Sequence, residues 1–72
     1  MYNIFMVKNI LKVWRARFDL TQEDLAKKAD VTRQTIIAIE KGDYNPSVEL
    51  ALKISMIFKI NVEEIFYLME EK

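Results

Sequence analysis

The 72-residue sequence contains no cysteine and no histidine. Without cysteine the chain can form neither a disulfide nor a thiolate metal site, a usage that fits the cytoplasm. Without histidine it lacks the commonest general base and the commonest zinc ligand of proteins. It also lacks a glycine-rich phosphate loop and clustered carboxylates. We therefore expect a protein that is not an enzyme and that holds neither a metal nor a cofactor.

Glycine and proline are almost as scarce, with one of each, Gly42 and Pro46. Because these residues most often interrupt helices, the rest of the chain favours helices joined by short connections. Apolar runs stay short of the roughly 18 residues of a membrane-spanning helix, and the apolar start lacks the basic leader of a signal peptide. We expect one small, soluble, cytoplasmic domain over residues 1–72, beginning at either Met1 or Met6.

The chain has no net charge, since eleven basic residues balance eleven acidic ones. These charges are unevenly distributed. Residues 1–60 hold ten basic and seven acidic residues, whereas residues 61–72 hold one basic and four acidic residues. Because the local field matters more than the sum, a basic body with an acidic tail is compatible with a nucleic-acid partner.

Apolar residues recur at helical spacing, and polar residues suited to capping precede them. The positions of Val7, Leu11, Trp14 and Phe18 predict a first amphipathic helix over residues 8–18. Capping signals predict a second helix over residues 21–29, a third over 32–41, a fourth from 46–47 and a short fifth through residue 66. The capping residues are Thr21 with Asp24, Thr32, Ser47, and Asn61 with Glu64, and Gly42 closes the third helix.

The terminal segments, residues 1–7 and 67–72, are more ambiguous than the helices. The stretches YNIFMV (residues 2–7) and IFYLM (residues 65–69) are apolar and could each be extended. They could pair as a short β-ribbon, and frayed helix is the alternative. The expected fold is all-α with five helices, and the sequence leaves a terminal ribbon open.

The second and third helices are joined by a turn of three to four residues, which is the spacing of a helix-turn-helix. Ala26 is small where two steeply crossing helices must approach closely. Val31 in the turn, with Ile36 and Ile39 on the third helix, closes the corner between them. Residues 21–41 are therefore predicted to form a helix-turn-helix.

The stretch TQEDLAKKADVTRQTIIAIEKGDYNPS, residues 21–47, resembles the phage-repressor type of helix-turn-helix, the Cro/CI or XRE family. The resemblance covers residues 8–66. It implies a small stand-alone DNA-binding regulator of transcription, often a homodimer and more often a repressor than an activator. Asp19, Asp30 and Lys59 stand where the family commonly has glycine. Aspartate tolerates a left-handed backbone better than most residues, whereas lysine is less favourable there.

The resemblance implies DNA contacts for several side chains, and their chemistry suits those roles. Arg33 and Gln34 project from the first turn of the third helix, where arginine can bind guanine and glutamine can bind adenine. A phosphate contact is the alternative for Arg33, and a solvated surface is the alternative for Gln34. Gln22, at the positive end of the second helix, suits a phosphate. Further phosphate contacts are implied for Thr32, Lys41, Tyr44 and Asn45.

Other interpretations remain open for three of these positions. Asn45 precedes a proline and could serve local turn geometry alone, and Tyr44 could cover the core. Ile37 is turned by about 100° from Ile36, towards the side of the helix that carries Arg33. It could belong to a broad apolar stripe, or it could contact a thymine methyl group in the major groove.

Two further predictions concern structure and assembly. Arg15 and Glu40 resemble the family's ion pair between the first and third helices, which would have a structural role. The apolar surplus predicts a homodimer on a pseudo-palindromic, double-stranded DNA site. The residues expected at the dimer interface are Ile57, Phe58, Ile65, Phe66, Leu68 and Met69, with Ile4 and Phe5 as additions. The alternatives are an antitoxin-like or other protein-interaction module and a purely structural helical domain.

Overall fold

The computed structural model describes residues 4–71, and within them it contains four α-helices, one 3₁₀ turn and two β-strands. The described residues do not include residues 1–3 and Lys72, which belong to the predicted terminal segments. In chain order the elements are β1 (Ile4–Asn9), α1 (Leu11–Arg17), α2 (Gln22–Ala29), α3 (Arg33–Lys41), α4 (Val48–Phe58), the 3₁₀ turn (Val62–Glu64) and β2 (Phe66–Glu71).

The two terminal strands form an antiparallel ribbon, which the sequence had left open. Met6 pairs with Met69, Val7 with Leu68, and the register runs from Ile4 opposite Glu71 to Asn9 opposite Phe66. Because β1 continues to residue 9, the first helix begins at Leu11 and not at residue 8 as predicted.

The side chain of Asn9 fixes the junction between β1 and α1. Its Oδ1 accepts a hydrogen bond from the backbone N–H of Leu11 at 3.1 Å, and its Nδ2 donates to the carbonyl of Ile39 at 2.8 Å. The N–H of Ile10 donates to the carbonyl of Ile65 at 2.9 Å. These bonds join the end of β1 to α1 and α3, and join the start of α1 to the residue that precedes β2.

The predicted fifth helix is wrong, because the chain makes a single 3₁₀ turn at this place. The capping signal itself is present, since the backbone N–H of Asn61 donates to Glu64 Oε2 at 3.0 Å. Ile65 then enters the core and Phe66 begins β2, so the backbone leaves the helical conformation to pair with β1. The fold is therefore a mostly helical domain of four helices with a short two-stranded sheet.

The core lies between the four helices and the 3₁₀ turn. The ring of Phe58 on α4 packs against two aromatic rings at α1. Its centroid lies 6.4 Å from that of Trp14 and 5.0 Å from that of Phe18, the residue after α1. Ser55, a buried polar residue, is satisfied by donating its hydroxyl to the carbonyl of Leu52 at 2.7 Å. The buried apolar residues are Leu11, Leu25, Ala26, Ala29, Ile36, Ile39, Leu50, Ile54, Phe58 and Ile65.

Burial corrects two residues of the predicted dimer interface. Phe58 and Ile65 are 1% and 0% exposed, so they pack inside this chain and cannot meet a second copy without unfolding. Ile57 is half-buried and packs against the same core. Helical periodicity could not choose between the neighbours Ile57 and Phe58 as the inward residue, and the structure buries Phe58 more deeply.

All three residues that replace a family glycine adopt the left-handed conformation. The φ angles are 54° at Asp19, 59° at Asp30 and 57° at Lys59, and Gly42 has a φ of 82°. The C-cap residues that directly follow α2, α3 and α4 are Asp30, Gly42 and Lys59, respectively. The lysine therefore does not alter the turn after α4, although its side chain makes that backbone conformation less favourable.

Candidate nucleic-acid interface

The turn between α2 and α3 sets the position of the third helix. Asp30 ends α2 in the left-handed conformation, and the N–H of Val31 returns to the carbonyl of Ala26 at 3.0 Å. Thr32 then starts α3 as its N-cap, with extended backbone angles. Since the closed corner buries Ile36 and Ile39, the opposite side of the first turn of α3 faces outward.

Arg33 and Gln34 lie on this outward side and are both exposed. Ile37, one turn later, is half-buried, which is intermediate between the two interpretations of its role. The hydroxyl of Thr32 accepts from the N–H of Thr35 at 3.3 Å and lies 3.1 Å from the hydroxyl of Thr35. Thr32 is therefore largely engaged by the start of its own helix.

A carboxylate beneath this surface joins three helices. Nε of Arg15 lies 2.8 Å from Glu40 Oε2, and Nη2 of Arg15 lies 3.3 Å from Oε1. Arg15 also donates from Nη1 to the carbonyl of Leu20 at 2.9 Å. The side chains of Arg15 and Glu40 are only 16% and 7% exposed, so water screens this ion pair little.

Gln22 belongs to the same network, which the sequence did not indicate. Its Nε2 donates to Glu40 Oε1 at 3.1 Å, so the carboxylate of α3 holds the amide at the start of α2. One amide hydrogen of Gln22 is used inside the protein, and its second hydrogen is left for a ligand. The fold therefore orients the side chain of Gln22, for which the sequence predicts a phosphate contact.

An open groove of about 520 Å³ lies beside this network. Two of its cationic residues come from different helices, Lys12 from α1 and Arg33 from α3. Lys12 was not among the predicted site residues. It precedes Arg15 by three residues on one helix, and this spacing, which places both on one face, could have indicated it. The groove is lined by Lys12, Arg15, Thr21, Gln22, Glu23, Arg33 and Glu40.

Neither the last residue of α3 nor the loop after it lines this groove. Lys41 lines a second, smaller groove of about 180 Å³ that it shares with Lys8 of β1. Tyr44 and Asn45 are exposed in the loop, so Tyr44 does not simply cover the core. Both grooves include Glu40, but the structure does not bring Lys41 into the groove that Arg33 lines.

The capping box of α2 lies at the edge of the larger groove. Thr21 Oγ1 accepts from the N–H of Asp24 at 3.0 Å, and the N–H of Thr21 donates to Asp24 Oδ2 at 3.0 Å. Two hydrogen bonds from Thr21 hold the pKa of Asp24 below its ordinary value. The bond from the backbone has the larger effect, and the bond from the side chain has the smaller one. Asp24 is therefore ionised at neutral pH, and its charge is used to stabilise the start of α2.

Two apolar surfaces are exposed at other places. The ribbon surface consists of Ile4, Phe5, Met6, Tyr67, Leu68 and Met69 on β1 and β2. The α4 stripe consists of Val48, Leu52 and Met56, which follow one another at four-residue steps on one side of α4. Neither surface is covered by another part of the described chain.

No group of three or more histidine, cysteine, aspartate or glutamate residues that could hold a metal ion occurs within residues 4–71. In that same part of the chain, no helix combines the length and the apolar character needed to cross a membrane.

Comparison with known proteins agrees with this geometry. A helix-turn-helix family model matches residues 11–65, and the chain belongs to this family, the XRE-type helix-turn-helix transcriptional regulators. The chain is 62% identical to the uncharacterized HTH-type transcriptional regulator MJ0272 of Methanocaldococcus jannaschii over 60 residues, covering 83% of this chain and 91% of the relative. It is 54% identical to the uncharacterized HTH-type transcriptional regulator YgzD of Bacillus subtilis over 65 residues, covering 90% and 98%.

Solved structures show the same fold. A crystal structure of a candidate DNA-binding protein from Bacteroides fragilis superposes with a TM-score of 0.78 at 21% identity, covering 86% of this chain and all of the other. The clp gene regulator ClgR of Corynebacterium glutamicum gives a TM-score of 0.70 at 24% identity, covering 75% of this chain and 57% of that one. Membership of the helix-turn-helix family implies double-stranded DNA as a partner.

Proposed function

We propose that this chain is a sequence-specific regulator of transcription, a cytoplasmic repressor that binds double-stranded DNA with α3 in the major groove. The observation that carries the proposal is the exposure of Arg33 and Gln34 at the start of a helix whose opposite face is buried. Arginine and glutamine are the side chains that bind guanine and adenine edges in two-point contacts. Gln22 adds a contact to the phosphate backbone of DNA, and this contact fixes the register of the helix on the duplex.

The proposal includes a homodimer, because one module of this size contacts few base pairs. A two-stranded ribbon alone is marginally stable in water, yet here Ile4, Phe5 and Leu68 are 61%, 58% and 65% exposed. Phe5 and Leu68 lie on one face of the ribbon and Ile4 on the other, so a second copy that contacts both faces would cover all three side chains. The interface then consists of Phe66, Leu68 and Met69 with Ile4 and Phe5, without the buried Phe58 and Ile65.

The acidic residues of β2 favour a ribbon that lies away from DNA. Glu70 pairs with Phe5 at the free end of the ribbon, where its charge would repel a phosphate. A dimer with a two-fold axis matches a DNA site that has the same symmetry. We expect a pseudo-palindromic site with half-sites about one helical turn, roughly 34 Å, apart.

Selection of bound sequences from random duplex DNA, repeated at two salt concentrations, tests the proposal. We expect a recovered site with two symmetric halves and an affinity that falls steeply with salt. Arg33→Ala and Gln34→Ala should relax the preference at particular base pairs, whereas Gln22→Ala should weaken all sequences alike. Recovery of no preferred sequence at either salt concentration would contradict sequence-specific binding.

The α4 stripe favours a second candidate function, binding of a partner protein in the manner of an antitoxin. Val48 and Met56 are 75% and 76% exposed, and the proposed dimer leaves both uncovered. Stoichiometric co-purification of a second protein with the natural chain, lost on Met56→Lys, would support this function. Purification of the natural chain alone, with DNA binding intact, would favour the repressor without a protein partner.

A further inference from the structure

We propose that Lys12, on α1, contacts a phosphate of the DNA backbone and completes a phosphate-binding groove between α1, α2 and α3. This inference rests on the proposed DNA-binding function. It adds a contact from a helix that is not part of the helix-turn-helix, and neither the sequence pattern nor the family match assigns a role to this residue.

The position of Lys12 is the first observation. It lines the same groove as Gln22, at the start of α2, and Arg33, at the start of α3. A DNA strand that runs past the start of α3 would therefore pass this groove. At about 520 Å³ and open to solvent, the groove has room for a segment of sugar-phosphate backbone.

The balance of charge in the groove is the second observation. Glu40 is neutralised by Arg15 at 2.8 Å, and Glu23 Oε1 lies 3.9 Å from Lys27 Nζ. Within residues 4–71, neither Lys12 nor Arg33 forms a salt bridge. The groove therefore contains two cations from separate helices that are not paired with a carboxylate, and a phosphate would supply the missing negative charge.

The rigidity of the groove is the third observation. Arg15 fixes α1 to α3, and Lys12 lies one turn before Arg15 on the same side of α1. The carboxylate of Glu40 also holds the amide of Gln22 at 3.1 Å. The backbone of Lys12 therefore keeps a fixed position relative to both helices of the helix-turn-helix, although its own side chain is flexible.

The chemistry of lysine defines the kind of contact. Its ammonium group is a point charge on a flexible stem, which suits a phosphate oxygen and does not distinguish one base from another. Lys12 should therefore increase affinity for every DNA sequence by a similar factor. Its contribution should fall as salt rises, because each phosphate contact releases bound counterions.

The test compares Lys12→Ala with Lys53→Ala, which removes the same charge from α4 and lines neither groove. Binding to the selected site and to an unrelated duplex of equal length is measured between 50 and 200 mM salt, roughly the range over which phosphate contacts dominate. Because the proposed dimer carries two copies of Lys12, we expect Lys12→Ala to lower the salt slope by about 1.8 and to weaken both duplexes roughly 25- to 100-fold near 0.1 M salt. Lys53→Ala should behave as the parent, and Lys12→Arg should restore the slope.

The outcomes separate this inference from the function on which it rests. If the parent binds DNA and Lys12→Ala keeps the slope of the parent, Lys12 is not a phosphate contact and the DNA-binding function stands. The assignment is equally wrong if Lys53→Ala loses as much slope, or if Lys12→Ala changes the preferred sequence. If the parent binds neither duplex, the DNA-binding function fails and this inference fails with it.

Discussion

Arg15 of α1 and Glu40 of α3 form a two-point ion pair, with 2.8 Å from Nε to Oε2 and 3.3 Å from Nη2 to Oε1. The pair joins residues 25 positions apart in the sequence and is largely shielded from water. Because Gln22 binds the same carboxylate, the pair connects the stability of the fold with the orientation of a side chain that we propose as a DNA contact.

We expect Glu40→Ala to destabilise the protein without abolishing its sequence preference. The variant leaves the largely buried Arg15 guanidinium without its carboxylate, a loss of about 3 kcal/mol, or at least about 10 °C in a domain of this size. The preference should persist because Arg33 and Gln34 stay on the same helix face. Thermal melts followed by circular dichroism provide the measurement.

The control for that prediction is Glu23→Ala. Glu23 also pairs with a cation, but its 3.9 Å contact with Lys27 lies on the exposed surface of α2. Exposed pairs add little to stability, so this variant should melt close to the parent. Equal melting temperatures for Glu40→Ala and the parent would show that the buried pair has no structural role.

Ile37 gives a prediction that separates its two interpretations. If its side chain contacts a thymine methyl group, replacing that thymine by uracil should weaken DNA binding by the parent. The same replacement should leave DNA binding by Ile37→Ala unchanged. Binding of both proteins to both duplexes measures this coupling. Additive effects of the two changes would mean that Ile37 serves packing alone. Ile36→Ala, next to it and fully buried, should instead cost about 2–5 kcal/mol of stability.

Asp24 gives a prediction about pH. Its pKa is lower in the folded chain than its ordinary value, so the stability it contributes is present above the unfolded-state pKa of about 4. That contribution is lost as the pH falls through the lower folded-state pKa. Asp24→Asn keeps an acceptor for the N–H of Thr21 but removes the charge. Chemical unfolding should therefore show a loss at pH 7 that shrinks below about pH 4; a loss independent of pH would exclude the charge as its cause.

The ribbon surface predicts the oligomeric state. We expect the parent to sediment as a dimer at micromolar concentration and Leu68→Lys to sediment as a monomer, because the two-fold axis would bring two lysines together. Val48→Lys is the matched control, because it also replaces an exposed apolar side chain by lysine, but on the α4 stripe. This variant should remain dimeric. If only Val48→Lys dissociates the dimer, the interface lies on α4 and not on the ribbon. If the parent is a monomer both free and on DNA, no dimer forms.

Local interactions explain which parts of the fold could be predicted from the sequence. The capping bonds of Thr21, Thr32 and Ser47 each involve a residue three positions ahead, and all three are present. The helix-turn-helix follows from these caps and from the left-handed turn at Asp30. Such signals lie within a few residues of one another, so the sequence contains them directly.

The features that could not be predicted depend on residues far apart in the chain. Asn61 and Glu64 indicate a helix, but pairing of Phe66 with Asn9 draws the chain into a strand, and no local pattern reports that pairing. The shared carboxylate of Glu40 places Gln22 inside a network, although Gln22 lies 18 positions away. The spacing of Lys12 and Arg15 indicates that they share a face of α1, but only the packing of α1 against α3 makes Lys12 part of the candidate site.

Lys59 provides a prediction about backbone strain at the end of α4. Its φ of 57° is one that non-glycine residues adopt at a cost of about 1–2 kcal/mol, and the turn is held by the N–H of Ile60, which donates to the carbonyl of Ser55 at 3.1 Å. Lys59→Gly removes the strain but adds flexibility to the unfolded chain, so we expect a net stabilisation of about 0.5–1 kcal/mol. Lys53→Gly, in the middle of the same helix, should destabilise by about 1 kcal/mol. Urea unfolding of both variants measures the contrast, and destabilisation by Lys59→Gly would mean that the lysine side chain stabilises this turn by more than its backbone strain costs.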